Sequence, residues 1–305
     1  MQGVNTSLKK LMQRAEQKLH LDSQLLELMY RQAELEKSVF QRKVAARNKQ
    51  EDVERLKGFC VKGLLLGLTG KKDQVLAQER SEADEARLQY DSATAELQEI
   101  AGQIKKYQTE LSAFQGADQA LQKEIETINP QLRESDSMYP EVLLEKEMQI
   151  GCIEALQTDL EEVFHAGDAA KKTIRDLAQA LTGSPSLVRA AWKTGTDRKR
   201  LVTGQKLFNQ LREQLSLFKE EVLDLDLPQE LRFDLHEFFL ISDRFLLGLY
   251  SETTIGKRVD KIFSLVEVSD WQIDAIMAYV YAEMQENAIN LQAAWVELGQ
   301  CLLEK

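Results

Sequence analysis

The chain has 305 residues, a net charge of −11, 29% charged residues, and only four prolines and three cysteines. So acidic a balance argues against general nucleic-acid binding, because a phosphate backbone is repelled unless a local basic patch overcomes the overall field. Few prolines, scattered β-branched residues and an abundance of Gln, Glu, Leu, Ala and Lys point to long helices packed as coiled coils or bundles. Cys60, Cys152 and Cys301 are odd in number, widely spaced and set among apolar residues, the pattern of buried free thiols in a reducing, cytosolic interior. The N-terminal residues lack the apolar core and cleavage site of a signal peptide, and no run approaches the roughly 20 apolar residues of a spanning helix. The expectation is a cytoplasmic chain, at most peripheral to a membrane.

A short helix is expected over about 7–19. From Leu25 the apolar residues alternate at steps of three and four through Leu28, Leu35, Val39, Ala46, Val53 and Leu56, interrupted by Gln32, Arg42 and Lys49. That spacing is the seam of one long helix, with Asp22 or Ser23 as its cap and Gly58 as its stop. The next periodic run is the strongest: Leu76, Ala83, Ala86, Tyr90, Ala93, Leu97, Ile100, Ile104, Tyr107, Leu111, Phe114, Leu121, Ile125 and Ile128, broken only by Glu79 and Asp118. It predicts one helix over 73–128, about 80 Å long, with Asp118 a tolerated interruption. Joined by about fifteen residues, the two helices are expected to form an antiparallel hairpin with facing seams.

Asn129-Pro130 is the expected end of the second helix, and Pro140 is well placed in the first turn of a third. The third seam runs Ile153, Leu156, Leu160, Val163, Ala170, Ile174, Leu177 and Leu181. Residues 182–200 then lose the periodicity. A shorter helix follows on Phe208, Leu211, Leu215, Phe218 and Val222, stopped by Pro228, and next an aromatic stretch holds Phe233, Phe238, Phe239, Phe245 and Tyr250. The last helix starts near Thr254 with Ile262, Val266, Ile273, Ile276, Val280, Met284, Ala288, Leu291, Trp295, Leu298 and Leu302 on its face and an interruption at Ser269-Asp270. The fold expected is all-α: an elongated antiparallel bundle of five or six helices. Its parts would be a rod over 1–181, a basic and aromatic segment over 182–253, and a returning helix over 254–305.

Two stretches stand out as contact sites. In 58–72, Phe59, Val61, Leu64, Leu65, Leu66 and Leu68 occupy a hairpin tip that simple physics would leave polar, and Lys71 and Lys72 follow them. They are expected to be covered by the chain's own helices, by another protein copy or partner, or by an anionic membrane surface. Arg189, Trp192, Lys193, Arg198, Lys199 and Arg200 form the one concentrated basic patch, which is either a solvated loop or a contact for anionic polymers or lipids.

The string Leu68-Thr-Gly-Lys-Lys72 fails the phosphate-loop pattern at Leu65 and Lys72, because that loop needs glycine and then Ser or Thr there. Glu162 and His165 have the spacing of a di-iron helix, but His20 and His236 lack a glutamate three residues before them, so the second half of such a site is missing. With no nucleophile elbow and no paired Cys-x-x-Cys, the chain reads as a non-enzyme with no cofactor, metal or small-molecule substrate. The glycine-punctuated apolar run 58–72 between two heptad helices, and the later Asp243-Arg-Phe-Leu-Leu-Gly248, resemble an uncharacterised group of bacterial coiled-coil proteins. The resemblance implies the helical fold and no particular activity. The function expected is a helical scaffold that self-associates or binds a protein partner. The alternative is a membrane-associated protein, remodelling or pore-forming, that uses the tip 58–72.

Overall fold

A computed structural model describes residues 2–57, 72–135, 141–182, 198–225, 227–231, 233, 235, 238–239 and 252–303. Among these residues the secondary structure is helical, without strands. The α-helices are α1 (Gln2–Lys57), α2 (Lys72–Leu111), α3 (Ala117–Ser135), α4 (Glu141–Thr182), α5 (Arg198–Leu223) and α6 (Glu252–Leu303), with short 3₁₀ turns at Ser112–Phe114 and Gln229–Leu231. The chain divides into two compact units: residues 1–140 with 295–305, and residues 141–294. The division falls near Pro140 instead of after Leu181, because the seam of α4 is buried with α5 and the first part of α6.

In the first unit α1 and α2 run antiparallel, as their register shows. Arg31 pairs with Glu96 at 2.7 Å, Arg42 donates to the Gln89 carbonyl at 3.1 Å, and Lys49 bonds Glu82. Two of the three polar interruptions of the α1 seam, Arg42 and Lys49, are thus partners of α2, while Gln32 donates to Glu36 within α1. The seam residues of α2 and α3, from Leu76 to Ile128, are all buried or half-buried. Those of α1 from Leu25 to Ala46 are only half-buried, since a two-helix coil covers each seam from one side.

Three expectations need correction here. Residues 7–19 and the helix that follows are one continuous element, with Ser23 inside it and its hydroxyl donating to the Leu19 carbonyl at 2.8 Å. The expected 80 Å helix is broken: Gly116 adopts a left-handed φ of 73° after the 3₁₀ turn, and α3 restarts with the bond from the Ala120 amide to the Gly116 carbonyl. A residue without a Cβ takes that conformation at little cost. Arg14 reaches the break and donates to the Ala113 carbonyl at 3.2 Å. Pro130 lies within α3, which continues to Ser135. It occupies an exposed position, where the carbonyl that loses its amide partner can be hydrated.

Asp118 is also more than a tolerated interruption. It is the acidic residue in the first turn of α3 and lies 3.4 Å from the Lys18 ammonium, which Asp22 also holds at 3.1 Å. A carboxylate there meets both a cation and the positive end of the helix. Where the end of α6 approaches α1 and α3, Leu8, Met12 and Ala15 of α1, Leu121 and Ile125 of α3, and Leu298 and Leu302 of α6 are buried. Gly299 allows this approach, since a Cβ there would lie 3.2 Å from the Met12 sulfur and 3.4 Å from Ile125.

The second unit is built on α4, α5 and α6 through Ala294. Leu160, Val163, Ala170, Ile174 and Leu177 of α4 share a core with Phe208, Leu211, Leu215, Phe218 and Val222 of α5 and Val266, Ile273, Ile276 and Val280 of α6. Phe233, Leu235 and Phe238 close it, with Phe218 and Phe233 edge to face at 5.1 Å and Phe208 against Phe238 at 5.3 Å. Phe245 and Tyr250 lie outside the described residues. Gly167 is the tightest point: a Cβ there would stand 2.9 Å from the Met277 sulfur and 3.0 Å from the Phe218 ring.

Two seam assignments shift. Leu156 is exposed, and on α6 the buried position is Asn287 while Ala288 is exposed. The Asn287 amide donates to the Ile153 carbonyl at 3.0 Å and to Gln157 at 3.1 Å. A buried polar group so paired fixes one register of α6 on α4. Ser269-Asp270 does not interrupt α6. Asp270 and Asp274 clasp Lys171 of α4.

Two stability outcomes follow. Asp118→Asn, which keeps the shape and removes the charge, is expected to cost about 0.5–1 kcal/mol in urea unfolding, less at high salt. No loss, or a loss indifferent to salt, would contradict the pairing. Gly167→Ala brings overpacking of about 1–3 kcal/mol against a helix-propensity gain of about 1 kcal/mol, so a net drop in melting temperature is expected. In a Met277→Ala background the same change should become neutral or stabilising, and an unaltered penalty there would refute the contact.

Candidate functional site

Of the residues singled out by sequence, Phe59, Val61, Leu64, Leu65, Leu66, Leu68 and Lys71 lie outside the described residues, as do Arg189, Trp192 and Lys193. Lys72 is the first residue of α2. Arg198, Lys199 and Arg200 are the first turn of α5, not part of an irregular linker. Neither set is described as a whole, and the exposed chemistry considered below is that of the described helices, on the outward faces of the second unit.

Helix α5 forms because Phe208, Leu211, Leu215, Phe218 and Val222 repeat at steps of three and four, and that stripe is buried. Its other side is polar and follows its own period. Lys206, Glu213 and Glu220 are seven residues apart and all exposed, and Lys199 is the same step earlier in the helix. The charges oppose the helix dipole. Three cations stand in the first turn, which has no acid, and the last turn holds Glu220 and Glu221 with no base; the favourable order would place acids first and bases last. On this face Asn209, Arg212, Glu213, Ser216, Leu217 and Glu220 line an open groove of about 530 Å³. The Arg212 guanidinium lies 5.4 Å from the centre of the Phe239 ring, a cation–π contact that steadies the groove's edge.

The acidic end is crowded. Burial first, and then Glu162, Asp224, Glu220 and Asp159, push the Glu221 carboxyl above its usual range. Leu223 beside it is exposed.

Helix α6 carries apolar residues on two opposite sides. Val266, Ile273, Ile276 and Val280 face the core, while Val268, Trp271, Ala275, Ala278 and Ala282 repeat at steps of three and four on the other side. Val268 is 53% and Trp271 71% exposed. On α4, Leu144, Met148 and Leu156 are likewise exposed, with the free thiol of Cys152 exposed among them. The expectation of buried thiols thus fails at Cys152, because the α4 core passes through Ile150 and Leu160 instead.

His165 is exposed one turn from Glu162 and rests edge-on against Phe164 at 6.4 Å. Among the described residues no three His, Cys, Asp or Glu side chains converge as a metal's ligands would. No described helix is long and apolar enough to cross a membrane. The chain matches no known protein family, no curated protein and no solved structure.

Sequence reading passed over both outward lines. The signals were the charged residues repeating at seven opposite the stripe of α5, and a second heptad on α6 offset by two positions from the first.

The Glu221 environment has a measurable consequence. A carboxyl whose folded range is raised favours the protonated form, so its contribution is greatest in acid and is lost as pH rises through the raised range. Glu221→Gln should therefore raise the melting temperature at neutral pH, with the gain disappearing below about pH 4. A gain that persisted in acid would show that charge crowding is not its origin.

Proposed function

We propose that this protein is a non-catalytic helical scaffold that acts by self-association or by binding a protein partner through the outward faces of its helices. The observation that carries this reading is the second apolar stripe of α6. A helix that is apolar on opposite sides is normally covered on both, and here only the side through Ile273 and Ile276 lies in the core. Covering exposed side chains such as Val268 and Trp271 contributes about 1.5–3 kcal/mol each, enough for a handful of them to support a specific contact. Ala275, Ala278 and Ala282 between them allow another helix backbone to approach closely. Exposed Leu144 and Met148 on α4 extend the same chemistry to a second helix. Aromatic and methionine side chains of this kind are the residues enriched at protein interfaces.

The test is a photo-crosslinking amino acid in place of Trp271, compared in cells with one at exposed Asn290 of the same helix. Protein adducts of discrete mass several-fold more abundant from position 271 are expected. Adducts absent from 271, or equal at the two positions, would contradict the reading of the second α6 stripe as such a face.

A further inference from the structure

The outward face of α5 has a feature that binding to an arbitrary partner would not require: it is complementary to itself. Read at seven-residue steps along the continuous helix, the line is Lys199, Lys206, Glu213, Glu220. None of Lys206, Glu213 and Glu220 has an opposite charge three or four residues away on α5, so the usual intrahelical pairing does not serve them. The basic start and acidic end also set the line against its own helix dipole. A parallel neighbour of the same sequence would stack lysine on lysine and glutamate on glutamate. An antiparallel one reverses the order and aligns every unlike pair.

Resting on the scaffold reading, we infer that one occupant of this face is a second copy of the same chain, bound with α5 antiparallel to α5 about a twofold axis between Asn209 and Gln210. In that register Lys206 of each copy lies level with Glu213 of the other, giving two unlike pairs across the axis, and helix positions 199 and 220 are likewise level. Leu217, 48% exposed in the groove, comes level with Val202 and Thr203 of the opposing helix. The opposed dipoles of the two helices complete the compensation, and the symmetric, self-complementary patch is the form that twofold association demands. The ion pairs, exposed at their rim, set register and orientation, while Leu217 and its neighbours supply the apolar contact.

The experiment uses the full chain and sedimentation equilibrium at low and at high salt. Wild type is expected to be dimeric at micromolar concentration and to dissociate more readily as salt rises. Lys206→Glu alone and Glu213→Lys alone should each weaken the dimer about tenfold without lowering the melting temperature measured at a dilution where every variant is monomeric. Combining both changes in one chain should restore it, because each pair is then reversed and still unlike. Mixing the two single variants should also restore a dimer, one chain supplying two acids and the other two bases. A monomeric wild type would overturn the inference, as would single variants that dimerise normally or a double variant that does not recover. If wild type associates but none of the charge changes alters it, the α5 pairing falls while the scaffold reading still rests on crosslinking from position 271. If the pairing behaves as expected and position 271 yields nothing, the second α6 stripe loses its role and the α5 contact stands.

Discussion

A helix of forty or fifty residues cannot bury its own apolar stripe, and the packing of the described helices follows from supplying their inner stripes with neighbours. In the hairpin the supply is minimal. Helices α1 and α2 cover each other from one side only, so most of the α1 seam stays half-buried and the charged residues in it remain close enough to water to be tolerated. They contribute specificity instead of bulk stability: Lys49 with Glu82, and Arg42 with the Gln89 carbonyl, hold one register out of several a repeating seam allows. In the second unit three helices share one core whose central residues are fully buried, and the buried amide of Asn287 with the Lys171 pairs fixes the register of α6 on α4.

The three-four periodicity made the helices, the antiparallel hairpin and most of the buried seam legible in the sequence, because burial on a long helix follows spacing, whereas Leu8, Met12, Leu143, Ile150 and Leu235 were not read as core. Positions of breaks were not legible. Gly116 ends a helix while Pro130 does not, a reversal of the usual expectation, since the outcome depends on where the next seam lies in space and on whether the orphaned carbonyls find Arg14 or water. Asp118 and Asn287 looked like a blemish and a near neighbour of the seam. Their roles depend on Lys18, a hundred residues away, and on the Ile153 carbonyl, and neither partner is signalled locally. The apolar tip and the basic patch drew attention through composition, whereas the outward lines of α5 and α6 are visible only when the opposite face is known to be buried.

Once the inner stripes are assigned, what remains outside is not a uniformly charged surface but ordered chemistry: an apolar line with small residues on α6 and a charge line on α5 that inverts halfway. Both have the period of helix packing. A surface patterned for helices is suited to more helix, and the charge inversion distinguishes one orientation of that helix from the other.

The most direct test of this view is hydroxyl-radical footprinting of the wild-type chain across a wide range of concentration, read residue by residue. If the outward lines are contact faces between copies, labelling of Leu217 and Met148 or Trp271 will fall as concentration rises, while Leu88, exposed on the back of α2, stays fully labelled. Labelling of all four that is independent of concentration would contradict self-association through these faces.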